Sequence, residues 1–290
     1  MEFTTLNNGV KMPMEGFGAM MIVPEEAGKA EDIIYDAIKA GYRLIDTAAA
    51  YMNEEAVGNA IKRAITDGLV TREELFVVTK LWVQDMKNYD DAAKAIETSL
   101  AKLGLDYVDL YLEHQAMGDY FSSWRAMEDA YKEGKLKAIG VANFFPNILC
   151  NFCETVEIKP AVNQIEFHPF FTQENAILNM KNYGVTPMAW SPLAEGNFGI
   201  FTDPELTEIG RKYGKTAAQV ALRWNTQRGV VIIPKSSRVE RMEQNMDIWD
   251  FTLTDEDMET ISSKDMGHSE IINHFDPEVV KMILGMKIHE

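Results

Sequence analysis

Tyr42-Arg-Leu-Ile-Asp-Thr-Ala-Ala-Ala-Tyr51 is the stretch from which the rest of the chain can be read. The apolar pair Leu44–Ile45 leads into Asp46, then a loop of small residues, then Tyr51. A short buried strand that ends on a carboxylate is costly unless the charge meets a partner or does chemistry. The pattern recurs downstream, where LFVVTK ends on Lys80 and VDLYLEH ends on His114. A helical segment follows each of the three: NEEAVGNAIKRAITDG, YDDAAKAIETSLAKLG and SSWRAMEDAYKEGK.

Outward from this centre the alternation continues. Upstream, MEGFGAM is strand-like and EEAGKAEDIIYDAIKAG helical, with Gly41 as its C-terminal cap. Downstream come the strands KAIGVAN, AVNQIEFH, TPMAWSPL and VVIIPKS. Their helices are FPNILCNFCETV, TQENAILNMKNYG, the pair DPELTEIGRKYG and AAQVALRWNTQRG, and VERMEQNMDIW. Asp203 and Pro204 suit the cap and first turn of their helix. Residues 3–12, FTTLNNGVKM, predict a β-hairpin turning at Asn8-Gly9. Eight strand-then-helix units with continuously apolar strands predict a parallel sheet buried on both faces. That number in about 250 residues suits a closed (β/α)8 TIM barrel, here with an N-terminal β-hairpin, as one domain over residues 1–290. An open doubly wound sheet usually opens on a glycine-rich phosphate loop, and Gly16-Phe-Gly18 lacks the third glycine. No element is assigned beyond Gly267.

Bulk properties narrow the function. The 28 Lys and Arg against 45 Asp and Glu leave a net charge of −17 at pH 7, which argues against nucleic acid and anionic membrane as partners. The first residues lack the charged and apolar regions of a signal peptide, and no apolar run reaches membrane-spanning length. With two cysteines there is no disulfide framework, and a cytoplasmic protein is expected. Cys150-Asn-Phe-Cys153 falls inside a helical segment with no second ligand pair, so two ordinary thiols are expected. Gly210-Arg-Lys-Tyr-Gly214-Lys215-Thr216 imitates a P-loop, but is one residue short and joins two helices.

In a barrel the reactive groups gather at the carboxyl ends of the strands. Asp46, Lys80, His114, Asn143, Gln164, His168, Trp190, Ser191, Lys235 and Ser236 fall there, with Tyr51 just past the second strand. Each has a bland reading: a loop cap, a surface lysine, a core histidine. Together they make an acid–base centre. A free phenol has a pKa of about 10 and is a poor acid at neutral pH. A buried ammonium would lower it, with Asp46 as counter-ion and histidine orienting a carbonyl. Lowering it by 2–3 units needs roughly 3–4 kcal/mol. A tyrosine that protonates a carbonyl needs a hydride donor, hence a nicotinamide. IIPKSSRVERMEQN supplies a phosphate grip: a capping box from Ser237 to Glu240 opens a helix, with Lys235, Arg238 and Arg241 beside it.

These motifs, in order and over nearly the whole chain, resemble the aldo-keto reductase family. The likeness lies in GVKMPMEGFG, DTAAAYMNEEAVG, TKLW, LAKLGLDYVDLYLEH, GVANF, NQIEFHP, WSPL and IPKSSRVERMEQN, and within the family is strongest to bacterial diketogluconate-reductase-type enzymes. It implies a (β/α)8 barrel that reduces aldehydes and ketones with NADPH. It implies Tyr51 as general acid with Asp46, Lys80 and His114, and Asn143, Gln164 and Trp190 on the nicotinamide. It also implies Ser191, Leu193, Lys235, Ser236, Arg238, Arg241, Gln244 and Asn245 elsewhere on the cofactor, and no metal. Departures fall on the pocket wall. Ala142 stands where the family usually has Ser, Glu113-His114-Gln115-Ala116 replaces Ile-His-Trp-Pro, and Met20 replaces a frequent Trp. Met20, Trp82 and Gln115 are the expected lining, and alternation should turn Glu113 to the face opposite His114. The substrate is expected to be a small carbonyl compound. The competing expectations are a non-catalytic NADPH-binding barrel, acting as sensor or partner subunit, and a metal hydrolase using His114, His168 and Asp46.

Overall fold

The computed structural model describes residues 2–22 and 27–290, and for Ala27 and Gly28 the backbone alone. The hairpin pairs β1 (Phe3–Thr5) with β2 (Lys11–Pro13), turning at Asn8-Gly9, where Gly9 has φ +87°. Eight parallel strands follow: β3 (Phe17–Gly18), β4 (Leu44–Asp46), β5 (Phe76–Leu81), β6 (Leu110–Glu113), β7 (Ile139–Ala142), β8 (Val162–Glu166), β9 (Thr186–Trp190) and β10 (Val231–Ile232). They pair in chain order. The ring closes through Ile232, whose N–H donates to Met14 O at 3.0 Å and whose carbonyl accepts from Gly16 N at 2.8 Å. Closure is tight at Gly18, where an added Cβ would lie 2.7 Å from the Ile233 carbonyl oxygen. The first strand is therefore shorter than MEGFGAM suggests.

The helices are α1 (Ala27–Ala40), α2 (Glu54–Thr66), α3 (Tyr89–Leu103), α4 (Tyr120–Lys132), α5 (Pro146–Thr155), α6 (Glu174–Tyr183), α7 (Pro204–Tyr213), α8 (Ala217–Gln227), α9 (Val239–Met246), α10 (Asp255–Ser262) and α11 (Pro277–Gly285). Glu25 and Glu26, read as the start of the first helix, lie outside the described residues. Asp203 caps α7 by accepting from Glu205 N and Leu206 N, as its sequence predicts. Residues 247–249, read as the end of the ninth helix, lie beyond it, and α10 and α11 had no counterpart in the sequence reading. Cys150 and Cys153 are free thiols on α5, the first exposed and the second buried.

Alternation along the strands builds two cores. Ile45, Val77, Tyr111, Ile165, Ala189 and Ile232 face outward and pack under the helices. Leu44, Val78, Leu110, Leu112, Val162, Met188 and Val231 face inward. Leu6, Met12 and Met14 of the hairpin segment join this inner cluster. Asn7 and Asn8 fasten the turn to the Pro160 and Lys137 carbonyls, just before β8 and β7. The hairpin thus plugs the amino-terminal end of the barrel, and the opposite end is left for chemistry.

Candidate active site

Two residues further along the inward face of each strand, the side chains change from apolar to polar. Leu44, Val78, Leu112, Val162 and Met188 give way to Asp46, Lys80, His114, Gln164 and Trp190. The sequence-predicted residues are therefore brought together by strand geometry alone. Lys80 is 0% exposed and Asp46 1%. Lys80 Nζ donates to Asp46 Oδ1 at 2.6 Å, to the Thr47 carbonyl at 2.8 Å and to Tyr51 Oη at 3.3 Å. These three acceptors match the three protons of an ammonium. Asp46 Oδ2 accepts from Gln164 Nε2 at 2.8 Å.

The electrostatics correct one expectation. Burial works against the Lys80 ammonium, but the Asp46 carboxylate and Tyr51 hold it above its ordinary value, so it stays charged. Burial likewise raises the Asp46 carboxyl, opposed by Lys80 and Gln164. The sequence leads one to expect that Lys80 lowers the Tyr51 phenol. Here burial raises it, Lys80 pulls it down, Asp46 adds to the rise, and it sits above its ordinary value. The main reason is burial, which Lys80 only partly offsets, and Asp46, closer to the ammonium than Tyr51 is, adds to the rise. The phenol keeps its proton at neutral pH, and Lys80 stabilises the phenolate only as it forms.

His114 lies edge-on to Tyr51, with ring centroids 5.6 Å apart, and to Trp82, at 5.1 Å. Burial, then Lys80, then His274 push its pKa well below the ordinary histidine value, so the imidazole is neutral. Glu113 points to the outer face as alternation predicts, where Ser123 Oγ of α4 lies 2.6 Å from it. Trp190 Nε1 donates to Asn143 Oδ1 at 2.9 Å, and Asn143 Nδ2 donates to the His114 carbonyl at 3.0 Å. Asn143 and Ser191 have φ of +62° and +48°, left-handed values that asparagine tolerates and serine adopts less often. Of the expected lining, Trp82 and Gln115 are buried and Met20 is partly exposed at the rim. His168 does not join Asp46. Its Nε2 lies 2.8 Å from Glu166 Oε1. Among the described residues no group of three His, Cys, Asp or Glu side chains is arranged to hold a metal ion.

A cavity of about 260 Å³ opens beside β10, and Leu193, Lys235, Ser236, Arg241, Gln244 and Asn245 line it. Arg238 and Ser191 do not. The predicted capping box is not formed. Arg238 is the N-cap of α9 and no side chain caps the helix, because the Ser236 hydroxyl accepts the Arg238 N–H at 3.0 Å. Lys235 and Arg241 are exposed, and among the described residues neither side chain has an ion-pair partner. Unpaired cations lining a cavity in a strongly acidic chain fit a phosphate-bearing cofactor. Phe201 and Thr216 also line the cavity and went unnoticed, since no motif marks them.

A parallel barrel with a Tyr–Lys–Asp–His cluster at its carboxyl rim and a cationic cavity alongside defines an oxidoreductase class, and the comparisons agree. The Aldo/keto reductase family model matches residues 16–266, and the chain belongs to that family. It is 46% identical over 259 residues to glyoxal reductase of Bacillus subtilis, covering 89% of this chain and 91% of the relative. To methylglyoxal reductase DkgA of Escherichia coli it is 41% identical over 265 residues, covering 90% and 93%. The crystal structure of Bombyx mori aldo-keto reductase AKR2E4 in complex with NADP superposes with a TM-score of 0.88 at 38% identity, covering 94% of this chain and 95% of that one.

Proposed function

We propose that this chain is an NADPH-dependent reductase of small aldehydes and ketones, in which Tyr51 is the general acid. The single observation that carries the reading is Lys80 Nζ, held 2.6 Å from Asp46 and 3.3 Å from the Tyr51 oxygen beside a neutral His114. When bound, NADPH supplies a hydride. The carbonyl oxygen lies between Tyr51 and His114. The imidazole orients it by hydrogen bonding, and Tyr51 gives up its proton as negative charge develops there. The Lys80 ammonium then stabilises the phenolate, and Asp46 keeps that ammonium charged although both are buried. Asn143 and Gln164 offer amide groups to the cofactor's carboxamide, and Trp190 offers a flat face. Lys235 and Arg241 take its phosphates, which supports NADPH over NADH. The names of the glyoxal and methylglyoxal reductases support small dicarbonyls as substrates. The acidic composition and free thiols support a cytosolic location.

The test is oxidation of NADPH with methylglyoxal, simple aldehydes and keto sugars. Tyr51→Phe is expected to lower kcat by about 10²–10⁴ while the protein still binds NADPH. Arg241→Ala is expected to weaken NADPH about tenfold, or about 1.4 kcal/mol, and to leave NADH nearly unaffected. A folded protein that binds NADPH and turns over none of these carbonyls is the sensor or partner subunit instead.

A further inference from the structure

Tyr51 sits in the loop between β4 and α2, at the end of a short helical turn over Ala49–Tyr51. Both ends of that loop are tied to the strand that carries Lys80. At its start Thr47 N donates to the Val78 carbonyl at 2.8 Å. At its end Glu54, the first residue of α2, accepts from Thr79 Oγ1 at 2.7 Å. Val78 and Thr79 immediately precede Lys80 on β5. Across the base of the loop Thr47 Oγ1 donates to Asn53 Oδ1 at 2.6 Å. Thr47, Asn53, Glu54 and Thr79 are all buried.

Asn53 is the N-cap of α2, a position where an asparagine oxygen ordinarily accepts from the first turn of its own helix. Here its side chain makes no such bond. Its Nδ2 donates to the Ala19 carbonyl at 2.9 Å and the Ile22 carbonyl at 3.2 Å, in the loop after β3. Those two carbonyls can only accept, so they hold the amide nitrogen and turn the oxygen to the Thr47 hydroxyl. Thr47 in turn serves both partners of the proton transfer. Its carbonyl accepts from Lys80 Nζ at 2.8 Å, and its hydroxyl closes the loop that brings Tyr51 Oη within 3.3 Å of the same nitrogen. Met52, between Tyr51 and Asn53, has φ of +54°, a left-handed value that persists in a non-glycine residue when its surroundings fix it. The Thr47–Asn53 bond spans that residue.

We infer that Thr47 and Asn53 are positioning residues for the proton transfer: the hydrogen bond between their side chains keeps the Tyr51 phenol in register with the Lys80 ammonium. The inference rests on the reductase reading above, which makes Tyr51 the acid. Both residues act through Tyr51 and Lys80, so their loss slows the chemical step and spares binding.

The test is Thr47→Val, which removes the hydroxyl and keeps the branched shape, with Thr47→Ser, which keeps the hydroxyl, as its rescue. Turnover of methylglyoxal with NADPH is measured in H2O and in D2O, alongside NADPH binding and thermal melts. Thr47→Val is expected to lower kcat about 10–100-fold with KM and NADPH affinity nearly unchanged. The solvent isotope effect on kcat should rise as proton donation becomes the slow step. Thr47→Ser should keep most of the wild-type kcat. Asn53→Ala removes the acceptor of the same bond and should lose at least as much as Thr47→Val, and the double variant no more than Asn53→Ala alone. A role in stability alone would lower the melting temperature and leave kcat and the isotope effect of the folded protein where they were. That result, or a Thr47→Ser protein as slow as Thr47→Val, overturns the inference and leaves the reductase reading standing. If the wild-type protein with NADPH reduces none of the carbonyls, both fall together.

Discussion

Asp46 and Glu113 are carboxylic acids at strand ends, 1% and 0% exposed, on opposite faces of the barrel wall. Asp46 faces inward and meets the Lys80 ammonium and the Gln164 amide. Glu113 faces outward and, among the described residues, meets only Ser123, with its second oxygen left without a partner. Burial raises both, but Glu113 is raised well above the ordinary carboxylate value, and only Ser123 opposes the rise. Asp46 serves as a counter-ion. Among the described residues Glu113 has no cation to offset its burial, which holds it toward the protonated form, and its Oε1 accepts from the Ser123 hydroxyl at 2.6 Å. Equal burial thus raises the two carboxyls to different extents, and what differs is whether a cation shares the face.

Removing the cation breaks the contrast and gives the largest effect. Lys80→Met is expected to lower kcat by about 10²–10⁴ and to cost roughly 3–5 kcal/mol of stability, because Asp46 is left buried and unpaired. The double variant Lys80→Met/Asp46→Leu should regain most of the stability and none of the activity, read by denaturant melts alongside turnover. The next effect is one of pH. A carboxyl raised on folding contributes stability that is complete below its ordinary value of 4.5 and is lost as pH climbs toward the folded value. Glu113→Gln removes that loss. Its stability relative to wild type should rise by at most about 1.4 kcal/mol per unit from about pH 5 upward, measured by paired melts. A flat difference would mean that Glu113 is ionised in the fold. Smallest is Ser123→Ala, which removes the last partner of Glu113 and should cost about 1–3 kcal/mol in the same melts. Glu15 offers an independent check, since burial raises it to about 8 against a single indole bond from Trp249.

The barrel was legible because strand periodicity fixes direction. Once Leu44 and Val78 face inward, Asp46 and Lys80 must follow, and the same period sends Glu113 away from His114. The cationic cavity was legible from Lys235 and Arg241, which stand out in an acidic chain. The capping box at Ser237 was misread because two adjacent serines compete for one helix start, and Ser236 makes the bond. The direction of the Tyr51 shift differs from the expectation because the sequence shows a lysine and its counter-ion but not how deeply the phenol is buried, and burial is the largest effect. The tail was not legible at all. Ser269 to Glu166 and Trp82 to Met286 join positions far apart in the chain, and the second ends on a backbone carbonyl that any residue would supply.

The hairpin stopper under the barrel has a kinetic corollary. With Leu6, Met12 and Met14 filling the floor, the amino-terminal end is closed among the described residues, which leaves the carboxyl-terminal mouth for carbonyl and alcohol. The segment that carries Met286 is tied to Trp82 at this end, so loosening its last few residues is expected to change access to the chamber while the Lys80–Asp46 pair beneath stays as it was.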